Sequence, residues 1–111
     1  MDTSDKRSAD RPSRVQPFRV VREESDDHIV VRVVGDLDMA TALELRAALQ
    51  PDGGRPMIID LAQTTFMDSS GLNALVAAWH LGNVVAVRHP SPIVRRAIEI
   101  SGLGEVLTIE T

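Results

Sequence analysis

The sequence predicts a single α/β domain whose mixed β-sheet, an antiparallel N-terminal hairpin followed by parallel strands, is packed with about three to four helices. The chain has 111 residues, which is enough for one two-layer core. Two β-branched runs near the start are separated only by a turn, which is typical of a hairpin. Segments of helical periodicity then alternate with short apolar runs, and strands joined by such helices pair in parallel.

The domain is expected to span residues 15–111, after a polar N-terminal segment. Residues 1–14 mix positive and negative charges and have almost nothing to bury, so we predict a disordered tail there. The segment 18–22 alternates weakly and predicts the first strand, and the β-branched segment 28–34 predicts the second. The polar residues 23–27 supply the turn between them.

The first helix is predicted between this hairpin and the Pro- and Gly-rich segment 51–56, which ends it. We expect it to begin at Ala40 or Thr41. Thr41 and Glu44 are three residues apart and have the pattern of a capping box, in which two unpaired N–H groups are satisfied. Leu45 and its apolar neighbours at helical spacing are expected to pack the helix on the sheet.

Three further strands and a second helix are predicted in the rest of the chain. The segment 57–61 is apolar on both faces, which indicates a central strand buried on two sides. Residues 72–81 place apolar side chains at offsets of three, four and seven, as an amphipathic helix does. A short apolar strand follows at 84–87, and the last strand is predicted at 106–109.

The last helix lies between those two strands. Ser91 is the expected N-cap, with Pro92 at the first helical position, and Gly102 is expected to end the helix. The residues predicted to face inward are Ile93, Val94, Ala97 and Ile98.

The composition argues against several classes of function. A net charge of −4 and few aromatic residues, 3% of the chain, argue against direct nucleic-acid binding and against an anionic membrane as partner. The chain has no cysteine, which excludes disulfides and thiolate sites and suits a cytoplasmic location. No apolar stretch approaches the roughly 20 residues that span a bilayer.

The candidate site is the segment 66–72, between a predicted strand and a predicted helix. Its Asp68-Ser69-Ser70 sequence places small hydroxyls where helix N–H groups have no partner inside the helix. Such a position either caps the helix with a side-chain oxygen or accepts a phosphate. No serine-hydrolase elbow, phosphate loop or histidine cluster is present in the sequence, so we predict no catalytic residue, no metal site and no cofactor.

Five blocks in this order resemble the STAS domain of bacterial anti-sigma factor antagonists, from about Phe18 to the C-terminus. They are residues 35–38 (Gly-Asp-Leu-Asp), 58–61 (Ile-Ile-Asp-Leu), 66–72 (Phe-Met-Asp-Ser-Ser-Gly-Leu), 91–92 (Ser-Pro) and 101–103 (Ser-Gly-Leu). The resemblance implies a STAS-like fold and a protein that is not an enzyme.

The resemblance also implies a mechanism. In that family the domain binds an anti-sigma factor with serine kinase activity, which frees a sigma factor. The kinase phosphorylates the first serine after the aspartate, matched here by Ser69, and a serine phosphatase removes the phosphate. The residues implied in partner binding are Asp36, Asp38, Asp68, Ser69, Ser70 and Gly71.

Two alternatives remain open at this stage. In the first, Ser70 and not Ser69 accepts the phosphate. In the second, the domain is a STAS scaffold or a small-ligand or nucleotide-binding subunit of a transport or sensory assembly. In the second case Ser69 would be only a helix cap. The chain is also about one helical turn shorter than the antagonists between Leu72 and Val84, which bears on which partner it recognises.

Overall fold

The computed structural model of the chain describes residues 17–51, 53–82, 84–105 and 107–110, so the tail predicted at 1–14 lies outside the described residues. One sheet has the strand order β1 (Arg19–Glu24), β2 (Ile29–Leu37), β3 (Met57–Met67), β4 (Val84–Arg88) and β5 (Thr108–Glu110). The helices are α1 (Met39–Ala48), α2 (Ser69–His80) and α3 (Pro92–Ser101). β1 pairs with β2 antiparallel and the other strands pair in parallel, which confirms the predicted mixed sheet.

The core lies between one face of the sheet and the three helices. Val31, Ile59 and Val87 are aligned across the three central strands, and all three are fully buried. The same buried cluster contains a residue from each helix: Leu45, Leu75 and Ile98. The parallel strands follow one another across the sheet in chain order, and each is joined to the next by a right-handed crossover. This places the three connecting helices on the same face of the sheet, as observed.

The start of α1 differs from the prediction. Asp38, not Ala40 or Thr41, is the N-cap, and Thr41 is the third helical residue. The Thr41 backbone N–H donates to Asp38 Oδ1 at 3.1 Å, and the Asp38 N–H donates to Thr41 Oγ1 at 2.9 Å. The predicted capping box between Thr41 and Glu44 is therefore wrong. The short Asp38 side chain reaches the N–H groups of the first turn, and the Thr41 hydroxyl takes the role usually played by a glutamate.

The third strand is longer than predicted. It continues from Leu61 to Met67 because β2 also continues, so that the polar residues of β3 pair with β2 at Val34↔Gln63 and Gly35↔Thr64. The pairing contains two register shifts in this region. β4 pairs with β3 only as far as Asp60.

The last helix agrees with the prediction at both ends but not on its inward face. Ser91 is the N-cap, and Gly102 ends the helix in the left-handed conformation with φ 84°. Val94 and Ile98, four residues apart, are fully buried, whereas Ile93 is 69% exposed. The prediction that Ile93 faces inward is wrong because one residue along a helix rotates a side chain by about 100° away from the buried face.

Candidate functional site

The predicted site residues come together at one edge of the sheet. Parallel strands end at the same edge, and here the ends of β2 and β3 are neighbours, with Leu37 aligned to Met67. The Asp68 N–H donates to the Leu37 carbonyl at 3.2 Å, which joins the turn after β3 to the end of β2. We call this the C-terminal edge, and it carries Asp36 and Asp38 beside the segment that starts α2.

The start of α2 is capped by Asp68. Its Oδ1 accepts from the backbone N–H of Ser70 at 2.8 Å and of Gly71 at 3.2 Å. Ser69 is therefore the first residue of the helix and not its cap. Ser69 is exposed, and within the described residues its hydroxyl makes no hydrogen bond, whereas Ser70 is half-buried. The expectation that the Ser69 side chain could cap this helix is wrong, because Asp68 is the N-cap.

Gly71 holds the first turn of α2 against the strand ends. It is buried, and a Cβ added there would lie 2.8 Å from Leu37 Cγ and 2.9 Å from Met67 Cγ. Real Cβ atoms do not approach neighbours so closely. The absence of a side chain thus lets the helix start directly on β2 and β3, and this contact fixes where Ser69 sits.

Three carboxylates surround this helix start, and each is bonded to neutral donors. Asp36 Oδ1 accepts from the Thr65 hydroxyl at 2.6 Å, and Asp38 and Asp68 are the two helix caps. Within the described residues none of the three carboxylates forms an ion pair. The C-terminal edge therefore presents an acidic surface whose charge is not neutralised by an ion pair with any residue that the structure describes.

Hydrogen bonds from Thr41 lower the pKa of Asp38. The largest cause is the Thr41 backbone N–H, followed by the Thr41 hydroxyl, and both favour the charged carboxylate. Asp38 is accordingly ionised at neutral pH.

Sequence reasoning missed the two threonines that position these carboxylates. Thr41 had a signal, since it follows Asp38 at the spacing of a capping pair, but Glu44 offered a second pair with the same spacing. Thr65 had none, because its bond to Asp36 joins residues 29 positions apart. Among the residues that the structure describes, no group of three or more His, Asp or Glu is placed to hold a metal ion.

A comparison with protein families decides the classification. A family model described as "Mlab, STAS domain" matches residues 20–109. The chain belongs to the STAS domain family. The resemblance inferred from the five sequence blocks is thereby confirmed, together with the STAS fold. No helix in the described parts of this STAS chain is long and apolar enough to cross a membrane.

Its relatives carry a consistent description. An anti-sigma-B factor antagonist of Listeria monocytogenes is 31% identical over 97 residues, covering 81% of this chain and 85% of the relative. The crystal structure of an anti-sigma factor antagonist from Mycobacterium paratuberculosis matches with a TM-score of 0.74 and 30% identity, covering 85% and 86% of the two chains. The phosphorylated form of the Bacillus cell fate determinant SpoIIAA matches with a TM-score of 0.64 and 25% identity, covering 86% and 92%.

Proposed function

We propose that this STAS protein is an anti-sigma factor antagonist that binds an anti-sigma factor with serine kinase activity and so frees a sigma factor. Phosphorylation of Ser69 by that kinase turns binding off, and a serine phosphatase restores it. The descriptions of the relatives support the general role. The phosphorylated form known for the Bacillus relative supports the switch.

The observation that supports the proposal most directly is that Asp68, and not Ser69, caps the start of α2. Asp68 satisfies the N–H groups of Ser70 and Gly71, so the helix start does not depend on the Ser69 hydroxyl. That hydroxyl is exposed to a kinase, and its modification breaks no hydrogen bond to any described residue. Ser70 is a poorer acceptor because it is half-buried.

The position also tolerates the product of the reaction. A phosphoserine carries nearly two negative charges, and a helix N-terminus favours negative charge there. The three nearby carboxylates oppose this gain, but the phosphorylated Bacillus relative has a matching fold. We therefore expect the phosphate to leave the fold intact and to act on the partner. A surface that fits a neutral hydroxyl would have to bury a dianion, at a cost of several kcal/mol if no cation faces it. Since about 1.4 kcal/mol is tenfold in affinity, we expect binding to fall by about a hundredfold or more.

The test is intact-mass spectrometry after incubation with ATP and each candidate anti-sigma kinase from the same genome. Wild type should gain one phosphate, Ser69→Ala should gain none, and the control Ser70→Ala should still be modified. The purified phosphoprotein should then bind that kinase about a hundredfold more weakly in calorimetry. Treatment with a serine phosphatase should restore the original affinity.

Two results would contradict this function. A phosphate that remains in Ser69→Ala but disappears in Ser70→Ala would move the switch to the neighbouring residue. If no anti-sigma factor binds the unphosphorylated protein, the role as antagonist is wrong and the STAS subunit of another assembly becomes the better description.

A further inference from the structure

The outer face of α1 carries two large apolar side chains that the fold does not use. Met39 is 76% exposed and Leu43 is 71% exposed. They are four residues apart and therefore lie on one face of the helix, one above the other. The inward face of α1 is formed instead by Ala42 and Leu45, which are buried. We call Met39 and Leu43 the α1 stripe.

The α1 stripe is continuous with the acidic surface of the C-terminal edge. Asp38 caps α1, Met39 is the first residue of that helix, and Leu43 is one turn further along. Isolated exposed apolar residues are common and need no explanation. Ile100 is as exposed, at 74%, but it lies near the end of α3, which starts at the same edge and runs back towards the opposite one.

We propose that the α1 stripe is a docking contact for the anti-sigma factor, and that it inserts into an apolar recess bordered by Lys or Arg side chains. This inference rests on the proposed function and names a part of the same interface. The charge of the recess follows from Asp38, which caps α1 next to Met39 and forms no ion pair within the described residues. A partner cation facing Asp68 would lie beside Ser69 and favour the phosphorylated form, so the basic side chains belong on the α1 side of the contact. Methionine suits such a contact because its unbranched thioether adapts to the shape of a partner.

A second copy of this chain is a poorer occupant of the α1 stripe. In a symmetric antiparallel contact between two α1 helices, Met39 of each copy would meet Leu43 of the other. The same contact would bring Asp38 of each copy towards Glu44 of the other, since these residues flank the stripe. Like charges placed against each other are unfavourable, whereas a partner with a basic rim would be attracted.

The test compares the double variant Met39→Gln/Leu43→Gln with the matched control Ile100→Gln. Glutamine removes the apolar character without adding charge and is a good helix former. Because all three positions are exposed, both proteins should keep the thermal midpoint of the wild type. The dissociation constant for the anti-sigma factor, measured by calorimetry with unphosphorylated protein, should rise by about tenfold or more in the double variant. It should be unchanged in Ile100→Gln.

Kinetics of Ser69 phosphorylation give an independent readout. The double variant should raise KM by a similar factor and leave kcat unchanged, because the stripe contributes to docking and not to phosphoryl transfer. A change in kcat with constant KM would overturn the inference.

The outcomes separate this inference from the function it rests on. If the double variant binds as tightly as wild type while phosphorylation of Ser69 still abolishes binding, the stripe is not a docking contact and the proposed function stands. If no anti-sigma factor binds the wild type, both fail. If sedimentation velocity shows that wild type dimerises and the double variant does not, the stripe is a contact between copies and the inference is overturned.

Discussion

Replacement of Gly71 by alanine tests whether the first turn of α2 rests directly on the ends of two strands. Elsewhere in a helix this change is stabilising by about 1 kcal/mol, because alanine has the higher helix propensity. At position 71 the new methyl group would lie 2.8 Å from Leu37 Cγ, 3.0 Å from Leu37 Cδ2 and 2.9 Å from Met67 Cγ.

Neither neighbour can move aside easily. Leu37 is fully buried and Met67 is 6% exposed, and the contacted Cγ atoms are close to the backbone rather than at a flexible end. Forcing an extra carbon into a packed site costs about 1–3 kcal/mol. After the gain in helix propensity, we expect a net loss of about 1 kcal/mol, which lowers the thermal midpoint by roughly 5 °C in a domain of this size.

The free energy of unfolding would be measured by urea denaturation followed by circular dichroism, with Asn73→Ala as the control. Asn73 is an exposed position of the same helix, so alanine there should be neutral or slightly stabilising. The clash itself is isolated by repeating Gly71→Ala in a Leu37→Ala background, where part of its cost should disappear. The reasoning would be refuted if Gly71→Ala were at least as stable as the wild type, or if the two changes were additive.

Three further outcomes are expected from the helix starts. Ser69→Ala should keep the wild-type free energy of unfolding, measured in urea, to within about 0.5 kcal/mol, since its hydroxyl makes no hydrogen bond to the described residues, and a larger loss would show a structural role. Asp68→Ala should lose about 1 kcal/mol of stability while Asp68→Asn keeps most of it, because asparagine is an equally good N-cap. Equal losses in the two Asp68 variants would argue against the cap. The pKa of Asp38 is lower when folded than when unfolded, so the stability that this carboxylate gives is complete above the unfolded value of about 4 and is lost as pH falls through the folded value. Asp38→Asn should therefore flatten the fall of the thermal midpoint between pH 5 and pH 2, and an unchanged pH profile would be contrary to this.

The order of the elements could be predicted from the sequence, and so could the position of the candidate residues at the start of α2, but the assignment of the caps could not. Asp38 with Thr41 and Thr41 with Glu44 share one spacing, and only the point where β2 leaves the sheet decides between them. The same ambiguity affects Asp68 and Ser69, because either side chain can cap a helix. The hydrogen bond from the Asp68 N–H to the Leu37 carbonyl, a contact across two strands, places Asp68 at the cap position. The Ser69 hydroxyl therefore takes no part in capping the helix.

The full length of β3 could not be predicted from the sequence for a related reason. Its second half contains polar residues without the alternation that marks a half-buried strand, and it is held in the sheet by β2, which is about 30 residues earlier in the chain. Local pattern carries no information on such pairing. The prediction that Ile93 faces inward failed for a different reason, because apolar character does not decide which of two adjacent helical residues is buried.

The strand order β1-β2-β3-β4-β5 has a consequence for how the chain folds. Every strand pairs with the one before it, so each addition to the sheet closes only one turn or one helical connection. Loop closure is entropically cheap over such distances, and folding is faster when contacts are local. During synthesis the strands can therefore be added in the order in which they leave the ribosome. The chain up to α2, which includes the three carboxylates and Ser69, is complete before the last two strands have been made.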